Sequence, residues 1–122
     1  MEANELRLNN YTSCNFGIVQ ISAIRDIECE VHNADFNVNT CVFTNKLEPI
    51  PLTEEILLKC GSTELIKGFH YHDRFNLKWM EAYKYWYVTD IVTGAYITKV
   101  EFVHEWQNTW FVLQGQELSV QL

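Results

Sequence analysis

Twice along this 122-residue chain the hydrophobic period changes from two to about 3.6, and each time a glycine ends the new pattern. The first place is PIPLTEEILLKCG, residues 49–61, and the second lies within EFVHEWQNTWFVLQGQELSVQL, residues 101–122. In the first block Thr53 is placed as an N-cap. Glu54 and Glu55 fill the turn where carboxylates complement the helix dipole, and Gly61 is a natural stop. Ile56, Leu57 and Cys60 make its apolar face. So short a helix must be held by packing rather than by propensity. In the second block Val103, Trp106, Trp110 and Leu113 form a helical stripe that Gly115 ends. Helices are expected over residues 53–60 and 104–113.

Almost everywhere else the pattern alternates as a strand does. Over residues 5–43, Leu6 and Leu8 alternate with polar neighbours, Asn9-Asn10 offers a turn, and Asn15-Phe16-Gly17 reads as a hairpin connection. Ile27, Cys29 and Val31 share one face, Asn33-Ala34-Asp35 turns the chain, and residues 36–43 form a further strand. Turns about every ten residues suggest a small, strongly bent meander, like half of an SH3-like barrel. Two prolines then break the pattern before the first helix. Residues 68–79 alternate without interruption, Met80-Glu81-Ala82 turns into residues 83–89, and residues 90–94 turn into residues 95–100, giving three antiparallel strands. Residues 117–122 read as a closing strand. The expected fold class is α+β, with antiparallel sheets predominating and two short helices. The whole is expected as a single compact domain, with the meander in residues 1–45 and the remainder in residues 46–122.

Charge narrows the functional classes. Sixteen acidic against nine basic residues leave a formal charge of -7, which argues against wrapping an extended nucleic acid. One small anionic ligand stays possible, since two or three basic side chains suffice for it. No leader-like segment opens the chain and no apolar run approaches membrane-spanning length, so a cytoplasmic protein that does not enter membranes is expected. Cys14, Cys29, Cys41 and Cys60 form no C-x-x-C pair and are expected as free thiols. Four tryptophans, six tyrosines and seven phenylalanines exceed what so small a core can hide, and self-association into a homo-oligomer would cover the surplus.

Few residues invite chemistry. HEWQN, residues 104–108, begins like the zinc-protease helix H-E-x-x-H, but Asn108 stands where the second histidine must be, and the motif fails. His70 and His72 share a strand face and are the best candidates for a metal or for acid–base work, although a third ligand is not evident nearby; the plainer reading is a solvated face. Cys60 could pair with one of these histidines as a nucleophile, but thiols at helix ends are usually packed rather than activated. Neither a phosphate loop nor a G-x-S-x-G elbow is present. No catalytic residue and no cofactor is assigned, and the chain is read as a non-enzyme. What remains is Tyr83-Lys84-Tyr85-Trp86-Tyr87. If Trp86 faces the core, Tyr83, Tyr85 and Tyr87 form an exposed stripe, with Arg74, Lys78 and Lys84 close in sequence to supply countercharge.

Three blocks carry a resemblance: NELRLNNY at the start, PIPLTEEILLKCG in the middle and VHEWQNTWFVLQGQEL near the end. They are similar to "ELRIGNYV", "PLTEEWLLKFGF" and "YVHQLQNLYFALTGEEL" in small, mostly uncharacterised prophage and mobile-element proteins of Bacteroidota. Gln107 and Asn108 match that pattern, and in an apolar helix the pair is expected to bond neighbouring backbone. The resemblance covers about a third of the chain and transfers no catalytic residue. It implies a phage accessory protein that acts by binding, such as a host-defence antagonist that sequesters a cyclic nucleotide signal. The alternatives are a module that binds and inhibits a host protein, or a metal-dependent hydrolase using His70 and His72.

Overall fold

Turn residues set the first sheet. In the computed structural model, which describes residues 1–122, Asn15 and Phe16 join β1 (Tyr11–Cys14) to β2 (Gly17–Ile24), with Cys14 opposite Gly17. β3 (Glu28–Asn33) and β4 (Val38–Phe43) follow antiparallel, in the order β1-β2-β3-β4. The Asn33 side chain accepts hydrogen bonds from the backbone N–H groups of Asp35 and Phe36, which forms the turn into β4. A bulge between Ile21 and Ala23 bends β2. After a 3-10 turn (Thr44–Lys46), Glu48 and Ser13 exchange backbone hydrogen bonds of 2.8 and 2.9 Å. The bent meander read from the sequence therefore returns onto β1 through one bridge, short of a complete barrel. Leu6, Val19, Ile21, Cys29, Val31, Val42 and Leu47 form its core. Ile27 is exposed rather than inward because it lies in the turn before β3. The segment around Leu6 and Leu8 is not a strand; a 3-10 turn (Ala3–Glu5) precedes it.

Both helices form where the period changes. α1 (Glu54–Lys59) is capped by Thr53, whose hydroxyl accepts from the Ile56 N–H at 3.2 Å. α2 (Val103–Gln114) ends on Gly115 at φ 70°, a left-handed cap. It buries Val103, His104, Trp106, Gln107 and Trp110, while Leu113 stays exposed. Two polar residues are thus added to the expected stripe and one leucine is lost from it.

The second sheet has five antiparallel strands in chain order: β5 (Thr63–Ile66), β6 (Phe69–His72), β7 (Phe75–Met80), β8 (Tyr85–Asp90) and β9 (Tyr96–Val100). The uninterrupted strand expected over residues 68–79 is in fact a hairpin. Asp73, at φ 55°, and Arg74 form a two-residue turn that places His72 opposite Phe75 and His70 opposite Leu77. Aspartate tolerates this left-handed conformation because its short polar side chain bonds locally. A turn of two residues inverts the alternation, since odd positions face one way in β6 and the other way in β7. Residues 117–122, expected as a closing strand, pair with no strand, although Leu118 is buried. The chain divides into two compact units, residues 1–51 with 102–116, and residues 52–101 with 117–122. The α+β class and the predominance of antiparallel sheet follow directly. No helix is long and apolar enough to cross a membrane.

Candidate functional site

The five-stranded sheet presents two chemically different faces. Leu77, Val88, Trp86 and Val100 point to the inner side with Phe75 and His70, and all six are buried. Trp86 donates its indole N–H to the Leu52 carbonyl at 2.7 Å, so the condition placed on the tyrosine stripe is met. Tyr85 and Tyr87 lie on the outer face, half-buried, and Tyr83 stands in the turn before β8, stacked on Tyr85 at 5.6 Å.

Register assembles the rest of that face. Phe69 is opposite Lys78, Lys78 is opposite Tyr87, and Tyr87 is opposite Lys99, so one row across four strands alternates aromatic and lysine. A second row holds Tyr71, Asn76, Thr89 and Tyr96. Tyr87 stacks on Tyr96 with centroids 4.9 Å apart, and the Lys99 ammonium lies 5.1 Å from the Tyr85 ring centroid. Strands about 4.8 Å apart set the backbones of Lys78 and Lys99 roughly 10 Å apart, with Tyr87 between them.

Not all the expected countercharges join this row. Arg74 sits in the β6–β7 turn, 3.2 Å from Asp90, and Lys84 sits in the β7–β8 turn, hydrogen-bonded to Glu81. These turns lie at opposite ends of the β7–β8 hairpin, roughly 20 Å apart by strand rise. Each cation is committed to a carboxylate, and both Asp90 and Glu81 are held below the usual carboxylate range. For Asp90 the first cause is hydrogen bonding from the Thr93 and Val92 N–H groups; for Glu81 it is hydrogen bonding from Lys84. Lys99, Phe69, Tyr71 and Tyr96 were not singled out in the sequence. For Phe69 and Tyr71 the signal is the Asp73-Arg74 turn, which sends them outward, whereas Lys99 and Tyr96 join the face only through the β8–β9 register.

Beneath the same sheet the histidines separate. His70 is completely buried, not solvated as the plainer reading had it, because the inverted alternation pairs it with Leu77 and sets its ring edge-on to Trp86 at 5.5 Å. Its Nδ1 lies 3.2 Å from the Ser62 hydroxyl and its Nε2 lies 3.4 Å from a Glu54 carboxylate oxygen. That oxygen also accepts from the Gly68 N–H. Glu64, opposite His70 in the β5–β6 pairing, completes a group whose ligand atoms all lie within 4.8 Å of one another. His72 is not part of it, and burial lowers its pKa from the ordinary 6.5 against the opposing effect of Asp73. Burial pushes the Cys60 thiol up to about 11, which favours the packed thiol over the thiolate a nucleophile needs. All four cysteines are free.

The HEWQN stretch is scaffold. Gln107 accepts from the Tyr11 N–H at 2.8 Å and donates to the Asn9 carbonyl at 3.1 Å. Asn108 accepts from the Asn10 amide at 2.8 Å and from Arg7 at 3.2 Å, and donates to the Glu5 carbonyl at 3.0 Å. The expected bonding to neighbouring backbone is thus what the pair does. His104 is buried and stacked on Phe102, and its Nδ1 has no hydrogen-bond partner. Burial lowers its pKa from the ordinary 6.5, opposed by Glu105 and Glu5.

No family model, no curated protein and no solved structure significantly matches this chain.

Proposed function

We propose that this chain is a non-catalytic binding protein that holds a small anionic ligand carrying a flat ring system, of which a cyclic nucleotide signal is the leading example. The observation that carries this reading is the row Phe69, Lys78, Tyr87, Lys99, in which an aromatic ring stands between two lysines outside the ion pairs of the chain. A base stacked on Tyr87 or Tyr85 would contribute about 1–3 kcal/mol, and phosphates reaching Lys78 and Lys99 would add charge-assisted bonds. On a chain of charge -7 such a spot is local, which suits a small ligand better than a long phosphate backbone. The binding residues proposed are Tyr83, Tyr85, Tyr87, Lys78 and Lys99; Arg74 and Lys84 are secondary because each is already paired. In the setting implied by the resemblance, a cytoplasmic accessory protein of a phage or mobile element would sequester the signal of a host defence system.

A thermal-shift screen against cyclic mono-, di- and trinucleotides tests this reading. A nucleotide is expected to raise the melting temperature, and Tyr87→Ala and Lys78→Ala are expected to abolish the rise while leaving the unliganded protein folded. If none shifts the melting temperature, the sequestering reading falls.

A second reading, a module that binds and inhibits a host protein, is favoured by the first unit. Phe16, Phe36 and Val38 are about half or more exposed (49%, 74% and 51%) and, with Asn33 and Thr40, line an apolar hollow of about 350 Å³ between two hairpin tips. Such a patch also fits self-association into a homo-oligomer. Light scattering that returned the monomer mass of 14.4 kDa at every concentration would exclude self-association.

A further inference from the structure

We propose that Glu54, Glu64 and His70 form a binding site for a divalent transition-metal ion of the Mn²⁺ or Zn²⁺ type, which fastens α1 to the β5–β6 hairpin. Three separate elements deliver the ligands: α1 brings Glu54 in its first turn, β5 brings Glu64, and β6 brings His70 directly opposite Glu64. Their ligand atoms already lie within 4.8 Å of one another. Ligands sharing one such ion sit about 3–4 Å apart, so the group must close by roughly 1–2 Å. Glu64 is exposed and can supply that movement by rotating its side chain.

The imidazole is held as ligating histidines are held. With an ion bound, the Ser62 hydroxyl beside Nδ1 would accept the Nδ1–H and fix the ring, leaving the Nε2 lone pair for the metal between Glu54 and Glu64. The Gly68 N–H steadies the Glu54 carboxylate in the same way. Two carboxylates gathered at one imidazole nitrogen concentrate negative charge in an already acidic chain, and one divalent cation balances it. The donor set narrows the ion. An imidazole nitrogen disfavours magnesium and calcium, and the lack of a thiolate disfavours copper(I). Three protein ligands leave positions for water, and the ion would join a helix to an edge strand whose four residues are all exposed. Nothing in this site depends on the outer face of the sheet, so it stands or falls independently of ligand binding there.

The probe is Mn²⁺, which avoids the free thiols, titrated into the full chain at about 0.15 M salt so that diffuse attraction to acidic surface is screened. Bound ion is counted by loss of the free-ion paramagnetic resonance signal. One saturable site per chain is expected, displaced by Zn²⁺ and accompanied by a rise in melting temperature. Glu64→Gln and Glu54→Gln should each weaken it by at least about tenfold, the loss that even an outer-shell partner's removal brings. Glu55→Gln, on the same helix but paired with Lys59, should change it by less than about twofold. Circular dichroism of each variant verifies the fold. The site is overturned if Mn²⁺ binding does not saturate, if either Glu54→Gln or Glu64→Gln retains full affinity, or if Glu55→Gln weakens binding equally.

Discussion

Two polar clusters, one on each helix, end in opposite ways. On α2, Gln107 and Asn108 direct their amides at backbone carbonyls and N–H groups of residues 5–11 and at the Asn10 and Arg7 side chains. On α1, Glu54 meets a histidine and a second carboxylate. The first cluster closes on itself, because amides offer donors and acceptors in equal measure. The second gathers acceptors around one nitrogen and leaves room for a cation. A satisfied buried cluster specifies structure; one that gathers like charge points to something that binds. NELRLNNY and VHEWQNTWFVLQGQEL are distant in sequence, yet they carry the two sides of the amide clamp.

The largest expected effect breaks the closed cluster. Gln107→Ala strands the Tyr11 N–H, while the Asn9 carbonyl keeps the Gln20 amide as donor, and should cost about 1–3 kcal/mol, the range for one orphaned group. Chemical denaturation with an unchanged slope would measure it. A cost below about 0.5 kcal/mol would show that the clamp is no more structural than the rest of the surface.

A smaller effect concerns acid. His104, buried beside the clamp in sequence, has a folded pKa lowered below the ordinary 6.5. Between the two values the unfolded chain binds the extra proton, so stability is complete above about pH 6.5 and declines as pH falls toward the folded pKa. For one proton the slope cannot exceed about 1.4 kcal/mol per pH unit. Denaturation midpoints of the parent and His104→Gln, compared from pH 7 to 5, should converge in acid as the parent loses this contribution. Parallel curves would remove His104 as the cause.

The smallest effect sharpens the contrast from the other side. Without metal, Glu54→Gln keeps an acceptor for Gly68 and relieves repulsion with Glu64, so stability should change by less than about 0.5 kcal/mol in either direction. A loss of several kcal/mol would make this cluster as structural as the clamp.

Local signals in the chain were read correctly where one residue decides the outcome. Thr53 and Gly115 mark helix ends through capping and a left-handed φ. What stayed hidden depends on pairing. Glu64 lies in β5, a strand with no alternation and no buried residue to betray it, and it becomes a neighbour of His70 only through register. Lys99 joins Lys78 across Tyr87 for the same reason. Leu113 fits a helical stripe yet remains exposed, since spacing says which residues align but not which side is covered.

The two-residue turn at Asp73 and Arg74 works as a phase shifter between β6 and the strands that follow. Because side chains repeat every two positions, a one-residue slip of the β6–β7 register, with the β7–β8 and β8–β9 pairings kept, would restore the opposite phase. Phe69 and Tyr71 would then be driven inward and His70 and His72 put out to solvent, without one substitution in any strand. A single-residue insertion or deletion at this hairpin tip therefore has two outcomes: absorbed in the turn it leaves every face as it is, and passed into the register it exchanges what β6 shows and what it hides. Relatives of this chain that differ in length here should be compared by which residue pairs with His70, before any residue of β6 is matched by position alone.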